Sequence, residues 1–218
     1  MPSSRWKKNI IAHRGTPGDL GTFAERFITG RLAGFDKDLR ICLTGVPSAT
    51  RPGKTHAYFP ALAACCATLE YLTALHRGST HGIGWQQVRD FALEYLPQPD
   101  YNEETIRVLF DAIRHPVAHR GIASGVWVDR TNGPNNGRRL VWRVSADARR
   151  PACHVDAEPG KLTQDPPWPT VYTHRVHVHL RSLWIDLRRG GEQLATDIRS
   201  SEALLQHFIA CMRQMYPQ

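Results

Sequence analysis

Apolar residues recur at three- and four-residue spacing through most of the chain and at two-residue spacing in one short region. The first pattern predicts helices and the second predicts strands. Leu20, Phe23, Phe27, Leu32, Phe35 and Leu39 fall at mixed three-to-five spacing, which predicts a helix or helix pair over 20–41. Pro60 opens a strong helix with an apolar stripe of Leu62, Cys65, Cys66, Leu69, Leu72 and Leu75, and Gly78 is placed to end it. A third helix is predicted over about 85–96, with Val88, Phe91, Ala92, Tyr95 and Leu96 on one side, before the breaker PQPD. Asn102 is placed to cap a fourth helix. Glu103 and Glu104 favour its positive dipole end, and Ile106, Leu109, Phe110 and Ile113 form its buried face.

The period changes after Gly125. The segments VWVDR and RRLVWRVS, separated by a loop holding Asn132-Gly133 and Asn136-Gly137, predict a β-hairpin. Residues 149–170 are rich in Pro, Asp and Gly and predict a long loop. Over 171–180, Tyr172, Val176, Val178 and Leu180 alternate with Thr173, Arg175, His177 and His179, as on the two faces of a strand. Leu180, Leu183, Trp184 and Leu187 predict a helix that stops at Gly190-Gly191. A last helix starts near Ser200 or Ser201, with Leu204, Leu205, Phe208, Met212 and Met215 inward. The expected fold class is mainly α, a helical bundle with a small antiparallel β element and closing C-terminal helices. The expected boundaries are an N-terminal arm over 1–18, broken by Gly15, Pro17 and Gly18; a bundle over 19–123; and, over 124–218, a β-hairpin and strand extension whose C-terminal helices pack on the bundle.

A length of 218 residues suits one domain with an embellishment or two small ones, and 41% apolar with 22% charged residues suits a globular protein. No run approaches the ~18 apolar residues of a membrane helix. The basic N-terminus is not followed by a long apolar segment, so no secretory signal is read, and a cytoplasmic protein without membrane contact is expected. The charge changes the picture more. The net charge is +8, carried by 23 Arg against 5 Lys, and six arginines with a single acid, Asp147, lie between Arg130 and Arg150. A GC-rich genome accounts for the ratio better than for the clustering. Basic clusters attract polyanions, nucleic acid above all, so Arg120, Arg138, Arg139 and Arg143 are expected nucleic-acid contacts.

Three tempting motifs carry little. The five cysteines contain no CxxC pair, and Cys42, Cys65, Cys66 and Cys211 sit among apolar residues as small hydrophobes. Gly45 to Thr55 ends in Gly-Lys-Thr. However, seven residues rather than four separate Gly45 from that ending, and Pro52 removes an amide, so an ordinary loop is expected. His177 and His179 share a strand face, but a third ligand would have to come from elsewhere and Arg175 shares the face. A polar strand face is the reading, and neither metal nor other cofactor is assigned.

The segment Arg114-His115-Pro116-Val117-Ala118-His119-Arg120-Gly121 holds the chemistry. Arginine stabilises phosphate charge, and histidine exchanges protons near neutral pH. Helix C-termini favour the same residues, and Gly121 suits a left-handed cap, so a purely structural reading exists. Pro116 complicates it, because a proline there clashes with the carbonyl of Ala112 and forces a kink or restart. Arg114 and His119 are ~140° apart on a straight α-helix. Either the kink brings them together or a second copy of the chain supplies the other half of a site.

The pattern Arg-x4-His, with a polar residue directly after the arginine, stands here as Arg114, His115 and His119 within LFDAIRHPVAHRG. It resembles the signature of the HEPN superfamily, over roughly residues 20–123; residues 124–218 carry no resemblance. What the resemblance implies is a four- or five-helix bundle that dimerises with its motif helices facing each other. It also implies metal-independent endoribonuclease activity, as in a toxin or defence component with a cognate antitoxin protein. His119 would then act as general acid or base on the ribose 2′-hydroxyl and the leaving oxygen. Arg114 would bind the scissile phosphate, and His115 would support the pair. The products would be a 2′,3′-cyclic phosphate and a 5′-hydroxyl, and DNA would not be cut. A non-catalytic HEPN-like dimer that holds RNA, a nucleotide or another protein is the alternative.

Overall fold

In the computed structural model, which describes residues 17–47, 49, 52, 54–55, 57–114, 125–162 and 170–217, the fold is mainly α. Helix α1 (Pro17–Thr44) is one continuous element where a helix pair was also compatible with the spacing. Leu20, Phe23, Ile28, Leu32, Leu39 and Leu43 are buried along it. Pro17 and Gly18, expected as breakers, instead form its first turn, where a proline lacks only a donor that would be unpaired anyway.

A two-residue antiparallel ladder, β1 (Val46–Pro47) with β2 (Lys54–Thr55), closes the loop expected there. Helix α2 (Tyr58–Arg77) follows and ends on Gly78, whose φ of 80° is the left-handed cap conformation and whose N–H donates to Ala74 O. By length and mean hydropathy this helix does reach the composition of a membrane span, contrary to expectation, and 56% of its most apolar window is buried inside the bundle. A helix enclosed on several sides is apolar nearly all round.

Helix α3 (Trp85–Tyr95) buries Val88, Phe91 and Ala92. Helix α4 (Glu103–Arg107) starts as expected, with Asn102 Oδ1 accepting from Thr105 N at 3.0 Å. The expected α-helix then changes winding. Val108–Arg114 is π-helical. Every residue from Thr105 to Phe110 is buried, so this segment is enclosed on all sides rather than along one stripe.

The sheet is larger than the expected element and is mixed rather than antiparallel. Strands β3 (Trp127–Val128), β4 (Arg139–Ser145), β5 (Cys153–Asp156) and β8 (His174–His179) pair in the order β3-β4-β8-β5. The expected hairpin is β3 against β4, with Gly133 and Gly137 at positive φ between them. β4 pairs parallel to β8 because the intervening chain travels out through β5 and back before β8 begins. The expected long loop over 149–170 thus holds β5 and β6 (Gly160–Leu162), and β6 pairs with β7 (Thr170–Tyr172).

β8 runs without a linker into α5 (Leu180–Ser200), and α6 (Glu202–Met215) follows, capped by Ser201. Leu140, Cys153, Val176 and Val178 from the sheet join the helices in one hydrophobic cluster. Cys65, Cys66 and Cys211 are buried in it as expected. Burial pushes the Cys211 thiol up to about 12, and its Sγ donates to Ala74 O.

Two buried acids tie the pieces together. Asp186 of α5 is wholly enclosed. Arg150 grips both its oxygens, with NH2 donating to Oδ1 at 2.6 Å, and the Tyr101 hydroxyl donates to Oδ2 at 2.8 Å. Asp129 is also wholly enclosed. It accepts from Arg107 NH2 at 2.6 Å and NH1 at 3.1 Å, from Arg138 NH2 at 3.3 Å, and from the Thr131 hydroxyl at 2.7 Å.

Gly190 and Gly191 do not end α5; they lie inside it. A Cβ on Gly190 would stand 2.8 Å from the carbonyl oxygen of Tyr95, and one on Gly191 would stand 2.9 Å from Leu32 Cδ1. The glycines therefore mark where α5 approaches its neighbours most closely. Gly34 of α1, by contrast, has nothing within 4 Å of the same point. Gly190→Ala is expected to destabilise the fold by about 1–2 kcal/mol despite the helix propensity of alanine, while Gly34→Ala stabilises it by about 0.5–1 kcal/mol. Urea unfolding midpoints of the two variants check both signs.

Candidate functional site

The backbone of Arg114 closes the π-helical segment. The side chain of Arg114 and all of His115, His119 and Arg120 lie outside the described residues. What the described residues define is a cleft beside that segment and a second cleft on the sheet.

The first cleft, of about 520 Å³, is lined by Arg107, Asp111, Trp127, Arg130 and Thr131. Asp111 belongs to the π-helical segment itself. The guanidinium of Arg107 sits 5.6 Å from the centre of the Trp127 ring while its N–H groups hold Asp129. Arg138, expected as a nucleic-acid contact, is engaged inside this wall instead. It pairs with Glu104 at 2.5 Å and Asp129 at 3.3 Å and is only 13% exposed. Arg139 and Arg143 are exposed, so these two keep the accessibility that a phosphate contact needs.

The second cleft, of about 400 Å³, lies over the polar face of the sheet and is lined by Arg143, Ser145, Asp147, Arg149, Arg150, His154, His177 and His179. Strand register builds it. His154 of β5 faces His177 of β8, and Arg143 and Ser145 of β4 face His177 and His179. Val176 and Val178 point to the core, so the alternation read from the sequence holds. The rings of His154 and His177 stack 4.8 Å apart at 6°, and that of His179 lies 5.9 Å from His154. The hydroxyl of Ser145 lies 3.0 Å from His179 Nδ1.

Carboxylates close one end of the face. His154 Nε2 lies 3.3 Å from Asp156 Oδ2, and His177 Nε2 lies 3.7 Å from the same oxygen and 3.6 Å from Glu158 Oε2. Glu158 is itself paired with Arg175 at 2.9 Å, and Arg175 also donates to the Tyr172 hydroxyl at 2.6 Å. Burial lowers the pKa of His177 below the usual histidine value, and the neighbouring His154 adds to the effect; His179 is lowered by burial and then by His154. Both imidazoles are therefore held in the neutral form at neutral pH. The sequence reading missed His154, Asp156 and Glu158, which fell in the expected loop. Their signal is the alternation His-Val-Asp-Ala-Glu over 154–158, which puts all three on one side of an extended chain.

No family model, curated protein or solved structure matches this chain.

The wall beneath the first cleft has a pH dependence of known sign. Burial alone would raise the pKa of Asp129, but the hydrogen bonds from Arg107 and Thr131 outweigh it and hold the carboxyl at about 2. A carboxyl depressed in the folded state contributes stability that is complete above its unfolded value near 4 and is lost as pH falls to about 2. The excess stability of wild type over Asp129→Asn is thus expected to be full at pH 6, roughly 2–3 kcal/mol, and to shrink between pH 4 and pH 2. Urea unfolding of both proteins across that range measures it.

Proposed function

We propose that this chain is a metal-independent endoribonuclease of HEPN type, acting as a homodimer in the cytoplasm. Arg114 holds the scissile phosphate, His119 moves the proton, and His115 supports the pair. The observation that carries the reading is the cleft of about 520 Å³ beside the segment that ends at Arg114, lined by Arg107, Asp111, Trp127 and Arg130. There Trp127 offers a ring to an unstacked base and Arg130 a charge to the backbone.

In this reading the ribose 2′-hydroxyl attacks the adjacent phosphorus as an imidazole of His119 takes its proton. The P–O5′ bond breaks as the leaving oxygen is protonated, by the same residue or by its counterpart in the second copy. Arg114 offsets the charge that gathers on the phosphoryl oxygens. An antitoxin protein is the partner that such an activity calls for.

Incubation of RNA with the protein in EDTA tests the proposal. Cleavage to 2′,3′-cyclic phosphate ends is expected, together with a loss of roughly 10²–10⁴-fold in His119→Ala and Arg114→Ala. RNA left intact by wild type, or cut equally well by His119→Ala, refutes it.

A second reading, an RNA-binding module without catalysis, is favoured by the exposed Arg139, Arg143 and Arg149 and by the Trp127–Arg130 cleft. It expects single-stranded RNA to bind but stay whole, with affinity that falls steeply as salt rises because phosphate contacts release counterions. Filter binding at several salt concentrations decides it. Trp127→Ala should weaken binding by about 1–3 kcal/mol.

A further inference from the structure

We propose that His154, Asp156 and His177 form a site for one zinc-class divalent cation on the polar face of the sheet. The three residues come from adjacent strands in fixed register. His154 and His177 are direct cross-strand partners, and Asp156 follows His154 by two residues, so it shares the face. One ligand atom from each lies within 4.8 Å of the others.

The spacings from the carboxylate to the two imidazoles fit the ion. Zinc binds imidazole nitrogen and carboxylate oxygen at about 2.0–2.2 Å, so neighbouring donors of a tetrahedral site stand about 3.3–3.6 Å apart. His154 Nε2 to Asp156 Oδ2 is 3.3 Å, and His177 Nε2 to the same oxygen is 3.7 Å. A cation placed among them leaves the strands where they are but requires the two rings, now stacked 4.8 Å apart at 6°, to tilt so that both nitrogens face it.

Polar accounting points the same way. His177 Nε2 is buried and has no hydrogen-bond partner, although two carboxylates stand within 3.7 Å of it. Unpaired buried nitrogens are uncommon in a folded protein, and a cation shared with the carboxylate would satisfy the one on His177. Arg175, whose charge would oppose a metal, is engaged by Glu158 and Tyr172. Glu158 stands 3.6 Å from the same nitrogen of His177, so three protein ligands leave the fourth position to this carboxylate or to water. The donor set of two nitrogens and one oxygen suits zinc better than calcium or magnesium, which favour all-oxygen shells.

The site does not depend on the Arg114–His119 reading, and its test needs no RNA. The full-length protein is titrated with Zn²⁺ against a chromophoric chelator, and its unfolding temperature is followed as Zn²⁺ is added. One equivalent is expected to bind and to raise the unfolding temperature in proportion to occupancy. His154→Ala, His177→Ala and Asp156→Asn are each expected to weaken binding at least ~10-fold. His174→Ala, whose ring lies 2.8 Å from the Thr173 hydroxyl and outside the cluster, should bind as wild type does. Asp156 is exposed, so its variant keeps the fold and decides the matter should a histidine variant misfold. The proposal is overturned if no saturable binding occurs or if Asp156→Asn binds as tightly as wild type. Cobalt substituted for zinc giving a thiolate charge-transfer band would also overturn it, since the ion would then sit on cysteines.

Discussion

A carboxylate cut off from water must be paired or lose its charge, and Asp186 is such a group at the centre of this molecule. The three groups of this cluster come from three separate parts of the chain. Arg150 lies just ahead of β5, Tyr101 just ahead of α4, and Asp186 itself in the first half of α5. One buried charge therefore links the turns ahead of β5 and α4 to the first half of α5. Burial pushes the Tyr101 hydroxyl far above its usual pKa, and the neighbouring Asp186 pushes it further, so it remains a donor at every working pH. Ser182 extends the tie by donating to the carbonyl of Arg149 at 2.6 Å.

Asp129 repeats the arrangement at the other edge of the sheet, with Arg107 and Arg138 in the role of Arg150. These pairs change the meaning of the basic composition. The arginine excess reads as an invitation to polyanions, yet Arg107, Arg138 and Arg150 neutralise internal carboxylates. The cationic surface that remains is narrower and better placed. Arg130 faces the cleft beside the motif segment, and Arg143 and Arg149 face the histidines.

The sequence was legible where a local rule acted alone. Asn102 and Ser201 cap helices as their side chains require, Gly78 takes a left-handed cap, and the β8 residues alternate between core and polar face. It misled where a distant neighbour decided. Gly190-Gly191 reads as a stop signal because the carbonyl of Tyr95 and the side chain of Leu32, which exclude a Cβ there, are far away in sequence. β5 was hidden for the same reason. Four residues among prolines and acids carry no strand signal until β8 lies beside them. The histidine cluster was half visible, since spacing within one strand reveals His177 and His179 but cannot reveal what the next strand brings opposite. The π-helical winding has no pattern that separates it from the α-helix expected through Ile113.

The direct passage from His179, the last residue of β8, to Leu180, the first of α5, has a further consequence. With no linker to absorb a mismatch, the two periodicities are phase-locked. One added residue would turn α5 by ~100° or exchange the faces of β8. The same rigidity works in the forward direction. Because α5 also packs along α1, the register of β8 in the sheet sets which residues α5 turns toward α1. The junction ties the register of the sheet to the packing of the core.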